Sequence, residues 1–590
     1  MNGGKGSSAS AAWRRALEMT AQIDRDEFRT FPHVIDDLAG RFGEAVALID
    51  DHRTMTFRAL AERVNQYARW VLQQGIGPGE VVALSMPNCA DYFALWLGIT
   101  KVGATAALIN TNLTAAPLVH AIKIAAPKHL IVHATLSQAV DEISGQLPGD
   151  IVLWSYAAET GFRSFTGACD ALPGGPLQPG EYTKPKLGDR ALLIYTSGTT
   201  GLPKAANVSH HRVMRWTHWF AGLMGITPSD RMYNCLPMYH SIGGIVAVGA
   251  PLVGGGSVVI RPRFSSQRFW EEIRSWDCTI FQYIGELCRY LVGTPAHPLE
   301  SIHKLRLCCG NGLRPDIWDS FKERFRIPRI LEFYAATEGT FSLYNCEEEP
   351  GSIGRIPSFL SHRSGVALVR FDTDTGLPVR DADGRCIPCP NGEVGEALGE
   401  ITKTAHRFDG YADRHATQQK IMRNVFAYGD AWFRTGDLMR RDARGFYYFV
   451  DRVGDTFRWK GENVSSQEVA QAASRHPGVV EAVAFGVTVP ACDGRAGMLA
   501  IVSDDSLCLK SLREHLSGQL ASYARPYFLR ICRVIDTTST FRPRKADLMR
   551  DGFDPGATTD PLFFSDDRSD AFVTLDPVLH QRIVSGEMRL

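Results

Sequence analysis

Apolar residues along the N-terminal third of this chain fall into two alternating rhythms. From Thr56 onward, Leu60, Val64, Tyr67 and Val71 recur at spacings of three and four until Gly75 interrupts them, which predicts an amphipathic helix capped by Thr56. Residues 81–86 are a short apolar run and predict a buried strand, 91–102 a helix, and 106–109 and 130–133 two further strands. Strands alternating with helices predict an α/β domain with mixed, largely parallel sheets. Near the other end, 466–473 reads as a helix and 479–487 and 498–502 as strands, so a second, compact α/β unit is expected. No repeat of fixed period is present, and the Pro/Gly-rich stretch 172–186 reads as a connection. The first residues are rich in Gly, Ser and Ala and lead into Trp13, Arg14 and Arg15, then Leu17, Met19 and Ile23. A flexible tail over residues 1–30 with a short helix is expected, and a membrane-surface anchor is the sharper alternative.

Composition narrows the classes. With 590 residues and 44% hydrophobic content, the chain can bury two or more cores. Basic and acidic residues number 64 each, so there is no overall basic field to attract a phosphate backbone, and nucleic acid is not an expected partner. The cysteines are odd in number, thirteen, and no secretory signal with an apolar centre opens the chain, so a reduced cytoplasmic setting without stable disulfides is expected. Cys386 and Cys389 form a C-x-x-C with no second pair to complete a zinc site. The apolar stretches 92–110 and 243–260 are short or broken, and neither reads as a membrane span.

The candidate chemistry begins where the apolar run 191–195 ends, in Tyr195, Thr196, Ser197, Gly198, Thr199, Thr200, Gly201, Leu202, Pro203 and Lys204. A buried strand opening into hydroxyls, glycines and one lysine has the chemistry of a phosphate cradle. The order G-x-x-x-x-G-K-[ST] is absent, so this is not a Walker A loop. The decapeptide resembles the signature loop of the adenylate-forming enzymes, the superfamily of acyl-CoA synthetases, luciferases and peptide-synthetase adenylation domains.

Later segments extend the resemblance in order. Residues 236–244 (LPMYHSIGG) match a motif whose His or aromatic residue lies between acyl pocket and thiol channel, which makes His240 the gate. Residues 277–291 and 310–325 resemble the fatty acid transport protein, or very-long-chain acyl-CoA synthetase, subgroup, as does 451–464. That resemblance runs from about residue 35 to the C-terminus. It implies a large N-terminal adenylation domain, residues 31–453, and a small mobile C-terminal α/β lid, residues 454–590, swivelling at Gly454, where many members carry Asp or Lys.

Site roles follow only from the resemblance. Tyr195 to Gly201 with Lys204 would hold the phosphates of ATP, with Thr196 and Lys204 catalytic. Gly310 and Asn311 would help bind the nucleotide, Tyr334 would stack on the adenine, and Thr337 would take the α-phosphate, Glu338 the Mg2+, and Asp437 and Arg452 the ribose. Trp459, Lys460 and Gly461 would face the pantetheine arm of CoA. Lys545, aligned through Thr540 and Phe541, would be the late catalytic lysine, with Arg542 and Arg544 as competing cations. The expected activity is AMP-forming ligation of a long- or very-long-chain fatty acid to CoA. Alternatives are a bile-acid-like or branched acid, a carrier-protein thiol as acceptor, or a fatty-acid uptake protein with secondary ligase activity. A regulatory nucleotide-binding module ranks below these, because it would not need Lys545. Peripheral contact with the cytoplasmic face of a membrane suits such a substrate, and the oligomeric state is left open, a homodimer included.

Overall fold

The computed structural model describes residues 8–588 except 159, 197–202, 373–374, 403–406, 461, 491, 493 and 539–542. By contacts the chain forms two units: residues 1–361 with 402–421, and residues 362–401 with 422–590.

The first unit holds two sheets. In one, Arg163–Ser164, Val152–Tyr156, His129–His133, Val81–Ser85, Thr105–Leu108 and Arg190–Thr196 run parallel in that order, and Lys204–Ser209 closes the edge antiparallel. The other has the order Ser342–Asn345, Ile330–Ala335, Leu307–Asn311, Ile280–Ile284, Arg231–Asn234, Ser257–Ile260, Val46–Ile49, Thr54–Thr56, parallel except at its two edge strands. The strands are apolar on both faces because helices cover both sides. The helix expected after Thr56 spans Phe57–Gln73, and Thr56 Oγ1 accepts the Ala59 N–H at 3.1 Å, as an N-cap should.

Of the flexible tail with a short helix expected over residues 1–30, residues 1–7 lie outside the described residues and the part that follows is packed. Ala9–Thr20 is a helix whose Ala12, Trp13 and Ala16 are buried against the helix His210–Met224. A Cβ on Gly222 would lie 2.5 Å from Ala16 Cα, so glycine there sets how closely the two helices approach. Trp13 meets Trp219 and Tyr344 edge-on at 5.8 and 5.6 Å. The indole that suggested a membrane anchor is core.

In the second unit, Val366–Val369, Val394–Glu400, Ala431–Arg441 and Phe446–Arg452 pair antiparallel in that order. A five-stranded sheet follows, Val479–Thr488, Arg495–Ser503, Phe528–Cys532, Leu562–Asp566 and Ala571–Thr574, covered by the helices Ser466–Ser474 and Leu509–Gln519. The expected division at Val453/Gly454 is therefore not where contacts divide the chain: residues 362–401 and 422–453 group with the C-terminal part. One reason is Asp451, whose Oδ2 accepts the Ser466 N–H at 2.7 Å and so joins the strand Phe446–Arg452 to the start of the helix Ser466–Ser474. Gly454 lies between them with φ +95°, a backbone angle that favours glycine.

All thirteen cysteines are free. Among the described residues no helix is long and apolar enough to cross a membrane.

Candidate active site

The glycine-rich loop is the tip of a hairpin. Thr196 pairs in register with Lys204 across the antiparallel strands Arg190–Thr196 and Lys204–Ser209, so a backbone ladder closes the base of the loop. A P-loop differs, because there the strand runs through the loop into a helix. His120 Nε2 donates to Pro203 O at 3.1 Å and steadies the return limb. Tyr195 takes another part than expected. It is buried in a hydrophobic cluster with Leu193 and Ala205, and its hydroxyl donates to Ala121 O at 2.6 Å. Ser197, Gly198, Thr199, Thr200 and Gly201 lie outside the described residues.

Three other motifs converge because parallel strands all point their carboxyl ends the same way. His240 follows the strand Arg231–Asn234, Asn311 ends Leu307–Asn311, and Thr337 and Glu338 follow Ile330–Ala335. These strands belong to one sheet, with Ile280–Ile284 between the first two. The Gly243-Gly244 pair opens a π-helical turn, Ile242–Val246. A Cβ on Gly244 would collide with the Met238 carbonyl, so this glycine lets the His240 loop fold back on itself. Burial pushes His240 down to about 4, so its ring is neutral near pH 7. Ser241 Oγ lies 3.0 Å from Thr337 Oγ1 and joins the two segments.

Gly310 is buried against the ring and carbonyl of Tyr283, whereas Asn311 is exposed at the strand end. Tyr334, half-buried, stacks on Phe341 with centroids 5.6 Å apart. Beneath this edge lies Glu332, a buried carboxyl not foreseen from sequence. It accepts the Leu313 N–H at 3.1 Å and bonds the Tyr283 hydroxyl, and burial pushes it up to about 8. It braces the turn after Asn311. Its partners lie on the strand Ile280–Ile284 and in the turn after Leu307–Asn311, so no local pattern announced the contact.

The Thr337–Gly339 turn is held from behind by Arg212, a second residue that sequence reasoning missed. Arg212 Nη1 donates to Thr337 O at 2.7 Å and Gly339 O at 2.9 Å, and Nη2 to Arg407 O at 2.8 Å. Asp409 accepts from the Ser209 N–H and hydroxyl and lies 3.5 Å from Arg212 Nε. The segment around Gly410 then runs antiparallel to the strand Lys204–Ser209, with Asn207 N–H donating to Gly410 O and Ala412 N–H to Ala205 O. This run places Tyr411, whose hydroxyl donates to Glu338 Oε1 at 2.7 Å.

Glu338 makes no ion pair among the described residues, and no group of three or more His, Cys, Asp or Glu side chains that could hold a metal ion occurs among them. A lone, oriented carboxylate is a poor cage for Ca2+ or Zn2+. It does fit Mg2+, which takes one or two protein carboxylates and fills its remaining positions with water and substrate phosphates.

In the second unit, Asp437 and Arg452 are a cross-strand register pair, with Arg452 Nε 3.3 Å from Asp437 Oδ1. Lys545 starts the helix Lys545–Asp551; its Nζ donates to Ser466 Oγ at 2.8 Å and lies 3.6 Å from Asp455 Oδ2. Trp459, expected on the CoA face, is buried in the core beside Tyr527. Lys460 is exposed at the turn with φ +49°, its ammonium 5.4 Å from the Trp459 ring. Gly461 lies outside the described residues, as do Thr540, Phe541 and Arg542.

Comparison with known proteins places this arrangement. The model of the AMP-binding enzyme family matches residues 35–406, and that of the AMP-binding enzyme C-terminal domain matches 468–542. The chain is 42% identical over 571 residues to long-chain fatty acid transport protein 1 of Mus musculus, covering 95% of this chain and 88% of that one. It is 38% identical over 537 residues to the medium/long-chain-fatty-acid–CoA ligase FadD6 of Mycobacterium tuberculosis, covering 90% and 87%. Among solved structures, the anthranilate CoA ligase AuaEII with anthranoyl-AMP superposes with a TM-score of 0.75 at 23% identity, covering 89% of this chain and 97% of that one. A Mycobacterium tuberculosis fatty acyl CoA synthetase does so with 0.62 at 22%, covering 89% and 98%. The fold is thus that of the CoA ligases, and with one model matching well over half of its length, the chain belongs to the AMP-binding enzyme family.

Proposed function

We propose that this chain is an ATP-dependent long- or very-long-chain fatty acyl-CoA synthetase, which joins a fatty acid to CoA through an acyl-AMP intermediate and releases AMP and pyrophosphate. The observation that carries the reading is the gathering of His240, Asn311, Thr337 and Glu338 at the carboxyl ends of strands in one sheet. The relatives named for long-chain fatty acid transport and for fatty-acid–CoA ligation support the substrate class.

A carboxylate resists thiol attack because its leaving group would be hydroxide, and conversion to a mixed anhydride with AMP removes that obstacle. One carboxylate oxygen attacks the α-phosphorus of ATP in line, the bond to the β-phosphate oxygen breaks, and pyrophosphate leaves. Catalysis of such a step is mainly positioning and neutralisation of charge. The hairpin loop and Lys204 hold the outer phosphates, and the Thr337 hydroxyl, set by Ser241 and Arg212, meets the α-phosphate. Asp437 with Arg452 takes the ribose diol, and Lys545 the charge shared by carboxylate and phosphate. Mg2+, held by Glu338 when bound, supplies charge neutralisation on the phosphate oxygens.

The CoA thiolate then attacks the acyl carbonyl and AMP leaves. His240 is neutral and brings no charge into the acyl path. Lys545 has no task in this step, which suits a lid that turns at Gly454 between the two half-reactions. Chain-length preference follows from channel length, since each buried CH2 contributes about 0.8 kcal/mol.

The relatives' printed name favours a second reading, fatty-acid uptake with ligation secondary. The ligase reading stands first because His240, Asn311, Thr337 and Glu338 gather at one sheet edge and a relative is named for fatty-acid–CoA ligation; peripheral membrane contact is compatible with both. The test is AMP release by purified protein with ATP, Mg2+, CoA and carboxylates from C8 to C24. AMP and acyl-CoA in equal amounts with a long-chain optimum support the ligase reading. Absence of AMP release with every acid overturns it and puts uptake first.

A further inference from the structure

Glu338 reaches its site on a short turn, and a carboxylate on a turn rotates freely unless something holds it. In this fold the hold is Tyr411. The Tyr411 hydroxyl donates to one oxygen, Glu338 Oε1, at 2.7 Å, and the tyrosine is itself buried with 5% exposure. Its backbone is fixed on two sides. The bridge between Tyr411 and Ala206 sets it on the strand Lys204–Ser209, which begins at the phosphate-loop lysine, and the Tyr411 N–H donates to Thr417 Oγ1 at 2.9 Å. The Thr337–Gly339 turn is anchored independently by Arg212. One segment of chain, residues 409–412, therefore touches both the strand leaving the phosphate loop and the carboxylate expected at the metal.

We infer that Tyr411 is a positioning residue for the metal site: it holds Glu338 Oε1 so that Oε2 is presented in one orientation to the Mg2+ of the bound nucleotide. The inference rests on the reading of Glu338 as the metal ligand. Partners of this kind orient ligating carboxylates, and their loss typically weakens metal affinity about 10–100-fold. Because Tyr411 rides on the strand of Lys204, the same contact also keeps the metal carboxylate in register with the phosphate cradle. A tyrosine that served only to fill space would be replaced by phenylalanine without effect on metal binding.

The test is Tyr411→Phe, read by Mn2+ binding rather than turnover. Mn2+ is titrated into protein saturated with α,β-methylene-ATP, and free Mn2+ is followed by electron paramagnetic resonance. The expected result is about 10-fold weaker Mn2+ binding, a matching rise in the Mg2+ concentration for half-maximal adenylation, and an unchanged melting temperature. Glu338→Gln weakens binding at least as much, and adding Tyr411→Phe to it causes no further loss, because the two residues act as one unit. Thr417→Val keeps the ring and hydroxyl but removes the acceptor of the Tyr411 N–H. It shifts Mn2+ binding in the same direction by a smaller factor and carries the test should Tyr411→Phe not fold. If Glu338→Gln weakens Mn2+ binding and Tyr411→Phe leaves it at the wild-type value, the inference is overturned while Glu338 keeps its role. If neither variant changes it, the assignment of Glu338 to the metal falls, and this inference with it.

Discussion

Asp437 and Arg452 face each other across neighbouring antiparallel strands, with Arg452 Nε 3.3 Å from Asp437 Oδ1. The carboxylate is buried and the guanidinium half-exposed, so a charged acceptor and a planar donor stand side by side, the chemistry a vicinal diol requires. Asp437→Asn keeps the shape and removes the charge. It should lower kcat/KM for ATP about 10–100-fold, the equivalent of losing charge-assisted hydrogen bonds worth roughly 1.5–3 kcal/mol. Comparison of ATP with 2′-deoxy-ATP checks the cause: wild type should discriminate strongly and the variant hardly at all. Equal discrimination by both would remove Asp437 from the ribose.

The role proposed for Lys545 is confined to the first half-reaction. Lys545→Ala should slow adenylation about 100–1,000-fold, the scale of losing one charge-stabilising group. Conversion of preformed acyl-AMP and CoA into thioester should stay within a few-fold of wild type. Each half-reaction can be followed in single-turnover assays, and equal loss in both would contradict a role confined to the first.

Buried titratable groups set the pH dependence of stability. His210, His218 and His240 are each pushed down to about 4 by burial, while Glu332 is pushed up to about 8. The unfolded chain protonates each histidine near 6.5, a proton the folded protein refuses, so stability rises with pH between about 4 and 6.5. Glu332 works in the opposite sense: the folded protein keeps a proton that the unfolded chain releases near 4.5, so stability falls as pH rises toward 8. Three histidines outweigh one carboxyl below 6.5, and above it only Glu332 acts. These four groups therefore place the maximum near pH 6.5. Glu332→Gln should gain on wild type between pH 7 and 8 by about 1 kcal/mol. Melting curves that run parallel across this range would show that Glu332 is not protonated in the folded state.

The docked N-terminal helix makes a separate prediction. Trp13→Ala should cost about 3–5 kcal/mol as a large aromatic leaves a packed site. Gly222→Ala should cost about 1–3 kcal/mol by forcing the helices apart. Melting temperature and protease sensitivity of the first twenty residues report both. Wild-type values for the two variants would mean that the helix is not docked in solution.

Much of this protein was legible in its chain of residues, and the reason is locality. Thr56 beside the Leu60 to Val71 spacing specifies a capped helix, and the apolar run 191–195 specifies a buried strand, because each depends on neighbours a few positions away. The motifs around Thr196, Thr337, Asp437 and Lys545 are likewise contiguous, and their resemblance to the adenylate-forming enzymes points to the family from sequence alone. Locality also explains the misreadings. Trp13 and Trp459 read as surface aromatics and Tyr195 as a nucleotide contact, yet each is buried, because burial is decided by what distant segments fold over a residue. The contacts of Arg212 with Thr337, of Tyr411 with Glu338 and of Tyr283 with Glu332 span between 49 and 125 positions. Only strand order in the sheets brings them within hydrogen-bond reach. The sequence by itself determined many of the elements and the family, and named the candidate side chains. Tertiary structure alone decided which neutral and charged neighbours hold those side chains still.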